Sequence, residues 1–385
     1  MDISRRGLLL GACSAAAHPL MTSVTLAAAP TDARLIVIVL RGGMDGLDVV
    51  RPVGDPLYQR YRPTLAQPGL DLTGYFALHP GLAELMPLWR RGQLGFAHAV
   101  STPYRDKRSH FDGQDLLEAG TPAMGDGRAR GGWLNRLVGA MPGASVELAF
   151  GVGNDELRIL GGESPVSRWS PEVEVDLTPA AEDLFRHIYA PDPLFARAAD
   201  KGMALAAAIE KSALPPLPNG ARRDPVAAFA AQQLLDQTRI AAFSVGGWDT
   251  HQRQSRGIAG ALGKLTGAIL SLEDGLGPGI WGKTMVLAMT EFGRTVAENG
   301  TKGTDHGTAG ALIMAGGALR GGAVYGDWPG LGEAALYKRR DLMPTADVRS
   351  YCAYAMRDLM GVGNTALETQ IFPGLSLEAD PRITL

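Results

Sequence analysis

Three of the seven histidines stand beside an acidic residue in a polar or glycine-rich stretch. They are His110 in Ser109-His110-Phe111-Asp112, His251 in Asp249-Thr250-His251, and His306 in Asp305-His306-Gly307. Imidazoles and carboxylates together suit a divalent cation such as zinc or manganese. Two such ions can hold the attacking and leaving oxygens of a phosphoryl or sulfuryl transfer. The other histidines have plainer settings. His18 lies in the N-terminal segment, His79 precedes a proline, His98 sits inside a strand-like run, and His187 in a helical stretch.

Two further carboxylates follow apolar runs. Asp45 closes the turn after 34–40, and Glu291 comes just after 284–289. Each residue also has a simple structural reading. Asp45 suits a glycine turn. Ser109 suits a helix cap, with Asp112 three residues on. Glu291 could pair at the surface with Arg294. The metal reading rests on joint placement, because the polar sites follow successive strands and ligands bind outside the carboxyl ends of strands in open α/β sheets. A hydroxyl at a helix start faces the positive end of the helix dipole, so Ser109 is also the candidate nucleophile. Arg105, Lys107 and Arg108 lie close by. They read equally as a solvated basic loop or as a grip on an anionic substrate, with Arg suited to a bidentate hold.

The elements that must position these residues alternate. Continuous apolar runs at 34–40 (RLIVIVL), 94–100, 240–245 and 284–289 read as buried strands. Shorter strands are expected at 311–315 and 322–325. Helices are expected from Ser109, over 195–211, 225–237 and 254–272, and over 347–360. The stretch 214–219 (LPPLPN) is linker-like. Strands alternating with helices imply a layered α/β sheet. The 50 glycines in 385 residues, above the usual share of about 7%, suit many tight loops. The formal charge of −3 with no basic run argues against nucleic acid as a partner.

The first residues read as an address. Arg5 and Arg6 precede a weakly apolar stretch, and Ala27, Ala28 and Ala29 supply a small-residue cleavage site. The pattern resembles a twin-arginine signal over residues 1–29, with an ordinary secretion signal or a lipoprotein box at Cys13 as alternatives. Removal of the leader leaves Cys352 as the one thiol, so no internal disulfide is expected. The expected location is the periplasm or beyond, reached through the twin-arginine translocase, with no transmembrane span in the mature chain.

The runs RLIVIVLRGGMDGLDVVRP, RSHFDGQDLLEAG, GGWDTH and TEFGRTVAENGTKGTDHGTAGA resemble a twin-arginine-exported bacterial family. It is a domain of unknown function, number fifteen-zero-one, often labelled sulfatase-like. That family in turn looks like a distant member of the alkaline phosphatase superfamily. The resemblance implies a layered α/β/α fold with a central, mostly parallel sheet and a metal centre on one edge. It implies one domain over 30–385, with a cap insertion around 144–220. By resemblance, Asp45 is the early metal-binding Asp, Ser109 holds the nucleophile's place, Asp249 and His251 form one pair, and Asp305 with His306 supplies the late histidine. Glu291 stands where the superfamily has Asp-His or Asp-Asn, and His110 is the candidate replacement for the missing imidazole. The sulfatase pattern of Cys or Ser before Pro-Ser-Arg is absent.

The expected ligand set is therefore Asp45, His110, Asp249, His251, Glu291, Asp305 and His306, holding one or two ions of Zn, Mn, Mg or Ca. Ser109, Arg294 and Arg108 are the expected catalytic residues. The function expected is a metal-dependent hydrolase acting on a phosphate or sulfate ester. The alternative is a non-catalytic envelope binding protein on the same fold. A redox role is disfavoured because GxGxxG is absent from the first strand's turn and one thiol cannot ligate an iron–sulfur cluster.

Overall fold

The computed structural model describes residues 31–385 apart from 128, 144, 146, 154–156, 170–216 and 218–221. The expected leader at 1–29, the expected helix at 195–211 and all of the expected 214–219 linker but Leu217 lie outside those residues.

The first apolar run is strand β1 (Arg34–Arg41), buried on both faces. Its side chains alternate between two cores. Ile36, Ile38 and Leu40 enter one, with Ala230 and Leu234 of the helix Pro225–Leu234 and Leu262, Leu265 and Ile269 of the helix Gln254–Trp281. Leu35, Val37 and Val39 enter the other, with Leu134 and Leu137 of the helix Trp133–Ala140 and Cys352 and Met356 of the helix Val348–Met360. The result is a layered α/β/α architecture, as the resemblance implied.

A small sheet orders β2 (Val50–Arg51), β4 (Ala77–Leu78) and β3 (Leu70–Asp71). The central sheet adds β5 (Leu94–Ser101), β6 (Ala149–Val152), β7 (Ser167–Trp169), β8 (Ile240–Gly246), β9 (Thr284–Met289), β10 (Gly310–Ala315), β11 (Val324–Tyr325) and β12 (Ala346–Asp347). Its order is β11-β5-β10-β9-β1-β8-β6-β7, with β12 also on β5. Pairings are parallel except those of β10, which runs antiparallel to both β5 and β9. That reversal matters for the site. The start of β10 lies at the edge where β1, β5, β8 and β9 end.

The four long strands and the helix Val348–Met360 stand within a residue of their sequence-based bounds, while the helix expected over 225–237 ends at Leu234. The helix from Gln254 runs on to Trp281, past a break at Gly277 (φ 64°) ahead of Pro278. The expected cap region contributes β6 and β7 to the central sheet. Among the described residues no helix is long and apolar enough to cross a membrane.

Candidate metal centre

Four loops meet at the carboxyl edge of the sheet. The turn after β8 carries Asp249 and His251. Glu291 follows β9 directly, and the loop after β5 leads to the helix His110–Ala119. His306 comes just before β10. The Glu291 and His306 loops are held together by Gly293 N–H on Thr308 O (3.0 Å), Gly307 N–H on Gly293 O (2.8 Å) and Thr295 N–H on Asp305 O (2.9 Å). The glycines are steric necessities. A Cβ at Gly293 would lie 1.8 Å from Ala309 O, and one at Gly307 would lie 2.4 Å from the Arg294 carbonyl carbon.

Three imidazoles converge on one carboxylate oxygen. Asp249 Oδ1 lies 3.0 Å from His251 Nε2, 3.3 Å from His306 Nε2 and 3.4 Å from His110 Nε2. The Nε2 atoms of His251 and His306 are 2.9 Å apart. A tetrahedral zinc with bonds of roughly 2.0–2.1 Å needs ligand–ligand edges of about 3.3 Å, and these four spacings lie near that value. His110, Asp249 and His306 already offer ligand atoms mutually within 4.8 Å.

Each ring is held from behind. His110 Nδ1 is 2.7 Å from Glu291 Oε1, His306 Nδ1 is 2.9 Å from the Arg108 carbonyl, and His251 Nδ1 is 3.4 Å from Asp305 Oδ1. All three partners only accept, which favours the proton on each Nδ1, so that each ring, when neutral, turns the lone pair of Nε2 toward the centre. His110 Nε2 is buried and makes no hydrogen bond. An orphaned buried nitrogen among bare imidazoles and a carboxylate is the donor set a divalent cation fits.

The charges support this. Burial alone would raise Asp249, but the Arg294 hydrogen bond and charge, with the His251 and His110 rings, hold it at about 2. Burial also works against Glu291, yet its hydrogen bonds from His110, Thr290 and Gln114 keep it below the usual carboxylate range. The Glu291 hydrogen bond raises His110 against the opposing effect of burial. Burial lowers His306, helped by the Arg294 charge.

The other expected residues are placed differently. Glu291 is fully buried and orients His110; its Oε1 also accepts from Gly42 N–H and Gln114. It is not the surface partner of Arg294. Asp305 stands behind His251 and accepts from Asn299. Asp45 is not among the converging groups. It is buried, caps Leu47 N–H, and takes both Nη1 and Nη2 of Arg62 at 2.7 and 3.0 Å. Burial opposes its ionisation, but Arg62 and Gln254 hold its carboxyl below the usual range. Arg294 is also buried, and each of its three nitrogens is engaged. It donates to the carbonyls of Gly42, Gly43, Trp248 and Thr304 and to Asp249 Oδ1 at 2.7 Å. Ser109 Oγ caps its helix, accepting from Asp112 N–H at 3.4 Å. Arg108 is exposed and serves the site through its carbonyl.

Sequence reading missed Phe292, Gln114 and Arg62. Phe292 packs against His110 and His306, with ring centroids 5.0 and 4.9 Å away. Gln114 could have been found, because i and i+4 share a helix face with His110. Nothing local ties Arg62 to Asp45.

The family model described as Protein of unknown function (DUF1501) matches residues 32–357. No curated protein matches the chain. The crystal structure of a protein in the alkaline phosphatase superfamily from Vibrio parahaemolyticus is similar at 11% identity, over 97% of this chain and 80% of that one, with a TM-score of 0.37.

Proposed function

The chain belongs to the family described as Protein of unknown function (DUF1501), and from that premise we propose that it is an exported metal-dependent hydrolase of phosphate or sulfate esters with a single-ion centre. The observation that carries this reading is the convergence of three bare Nε2 atoms on Asp249 Oδ1. His110, Asp249, His251 and His306 would hold the ion. The choice of one ion rather than two follows from Asp45, whose carboxylate is taken up by Arg62.

A divalent cation held there supplies Lewis-acid stabilisation of charge on a phosphoryl or sulfuryl oxygen. The protein's own groups do the rest. Glu291, the Arg108 carbonyl and Asp305 keep protons on Nδ1 and fix the ring planes. Arg294 keeps Asp249 ionised and in place. Ser109 Oγ accepts its cap bond and keeps its own hydroxyl proton, and in this reading it would be the attacking hydroxyl at the helix start. The exposed Lys107 and Arg108 would steady the anion. The twin-arginine pattern supports export of this folded chain to the periplasm.

Two placements favour a second reading, a non-catalytic envelope binding protein on the same fold. Among the described residues no base accepts from Ser109 Oγ, and Arg294 is 1% exposed with all three of its nitrogens engaged inside the protein. A panel of phosphate and sulfate monoesters separates the two. Turnover by the metal-loaded chain that is lost in Ser109→Ala supports the hydrolase. Full metal with no turnover supports the binding protein.

A further inference from the structure

A cavity of about 400 Å³ opens between the end of β5, the start of the helix Val348–Met360 and the C-terminal segment. That size falls within the range of small-molecule sites. It is lined by four charged side chains, Arg105, Asp347, Arg349 and Glu378. Two of them neutralise one another. The buried Arg349 grips Asp347 through Nε at 3.1 Å and Nη2 at 2.7 Å and spends Nη1 on the Gly120 carbonyl.

Arg105 is not neutralised in this way. It is half-buried, and only its Nη1 is engaged, by the carbonyls of Thr102 and Tyr104. Among the described residues its Nε and Nη2 have no acceptor and no carboxylate pairs with it. That edge is one of the faces by which a guanidinium takes a carboxylate with two parallel bonds. Ser101 on the same lining is 7% exposed, and its Oγ has no partner at all. A buried hydroxyl is costly to leave unsatisfied. Asp347 and Asp106 offset part of the Arg105 charge from nearby, so a multiply charged anion gains little there. Tyr351 adds aromatic surface.

We propose that this cavity binds a small organic monocarboxylate, its carboxylate on the Nε–Nη2 edge of Arg105 and hydrogen-bonded by Ser101 Oγ. The site shares no residue with the metal centre and does not depend on the proposed hydrolase reading.

The test is titration calorimetry of the full chain with 3-phenylpropionate, with inorganic phosphate as the comparison anion. His251→Ala protein is run alongside, to separate this cavity from the metal centre. Saturable 3-phenylpropionate binding, equal in wild type and His251→Ala, is expected. Arg105→Gln should weaken it at least tenfold, Arg105→Lys less, and Ser101→Ala several-fold. Phosphate should bind at least tenfold more weakly. The proposal is overturned by no binding to wild type, by wild-type affinity in Arg105→Gln, by loss of binding in His251→Ala, or by phosphate binding as tightly. If Arg105→Gln does not fold, wild-type affinity in Ser101→Ala overturns it.

Discussion

The Nε2 atom of His251 lies 2.9 Å from the Nε2 of His306, and when the Nδ1 protons are claimed from behind both nitrogens offer lone pairs. Asp305 and the Arg108 carbonyl can only accept, so they claim the Nδ1 protons. Two lone pairs at that distance repel unless a cation lies between them. Protons and a divalent metal therefore compete for the same place. His110 adds to the competition, because Glu291 raises its affinity for a proton. Zinc affinity should rise with pH through the histidine range and fall on acidification below about 6.5. Zinc titrations at several pH values on either side of that point check this, and a flat profile would count against it.

Glu291 should act through His110. Replacing it by Gln removes the charge behind Nδ1 and lowers the basicity of Nε2. Metal affinity should drop by roughly 10–100-fold, the usual effect of losing such a partner. Competition with a chelating dye measures it. Unchanged affinity would mean that Glu291 serves only packing.

Asp45 should matter for folding rather than for metal. Its pair with Arg62 is fully buried, with 0% side-chain exposure on both sides. Removing one partner strands a buried charge and typically costs about 3–5 kcal/mol. Asp45→Asn should therefore lower unfolding free energy by that order while the purified folded protein keeps its full metal. Loss of metal at unchanged stability would make Asp45 a ligand after all.

Acid sensitivity has a second source, away from the centre. His98 is buried in β5, with Nε2 2.9 Å from Val50 O and Nδ1 accepting from Ala99 N–H. Burial lowers it from 6.5 to about 4. The unfolded chain thus binds a proton that the folded chain refuses between those values. Stability is complete above about pH 6.5 and is lost as pH falls toward 4, by roughly 3 kcal/mol in all. His98→Gln should be less stable at pH 7 but show a shallower loss between pH 7 and 5. Equal slopes in denaturant unfolding would refute this.

The loops at the centre should tolerate no added carbon. Gly293→Ala drives a Cβ into Ala309 O and should cost about 1–3 kcal/mol or more. Because the loop carries Glu291 and touches His306, metal content should fall too. A variant with wild-type stability would contradict this contact.

Strands were the most legible part of the sequence. β1, β8 and β9 are continuous apolar runs because both faces are covered. The imidazole–carboxylate pairs were legible because they stand beside glycine turns after such runs. The reversed direction of β10 was not legible, since a buried strand reads alike either way. Nor was the division of the carboxylates into Asp249, which faces the imidazoles, and Glu291, which stands behind one of them. That depends on which long-range partner reaches each oxygen, as Arg62 reaches Asp45 across the fold. The helix Trp133–Ala140 went unseen because it is short and begins at Gly132 with no side-chain cap.

The most direct measurement is the metal content of the protein, purified without chelators and then offered zinc or manganese, with His251→Ala and His306→Ala beside it. One divalent ion per chain in the wild type, lost in both folded variants, is the result this account predicts. No metal in the wild type after reloading, or full metal in both variants, would contradict it.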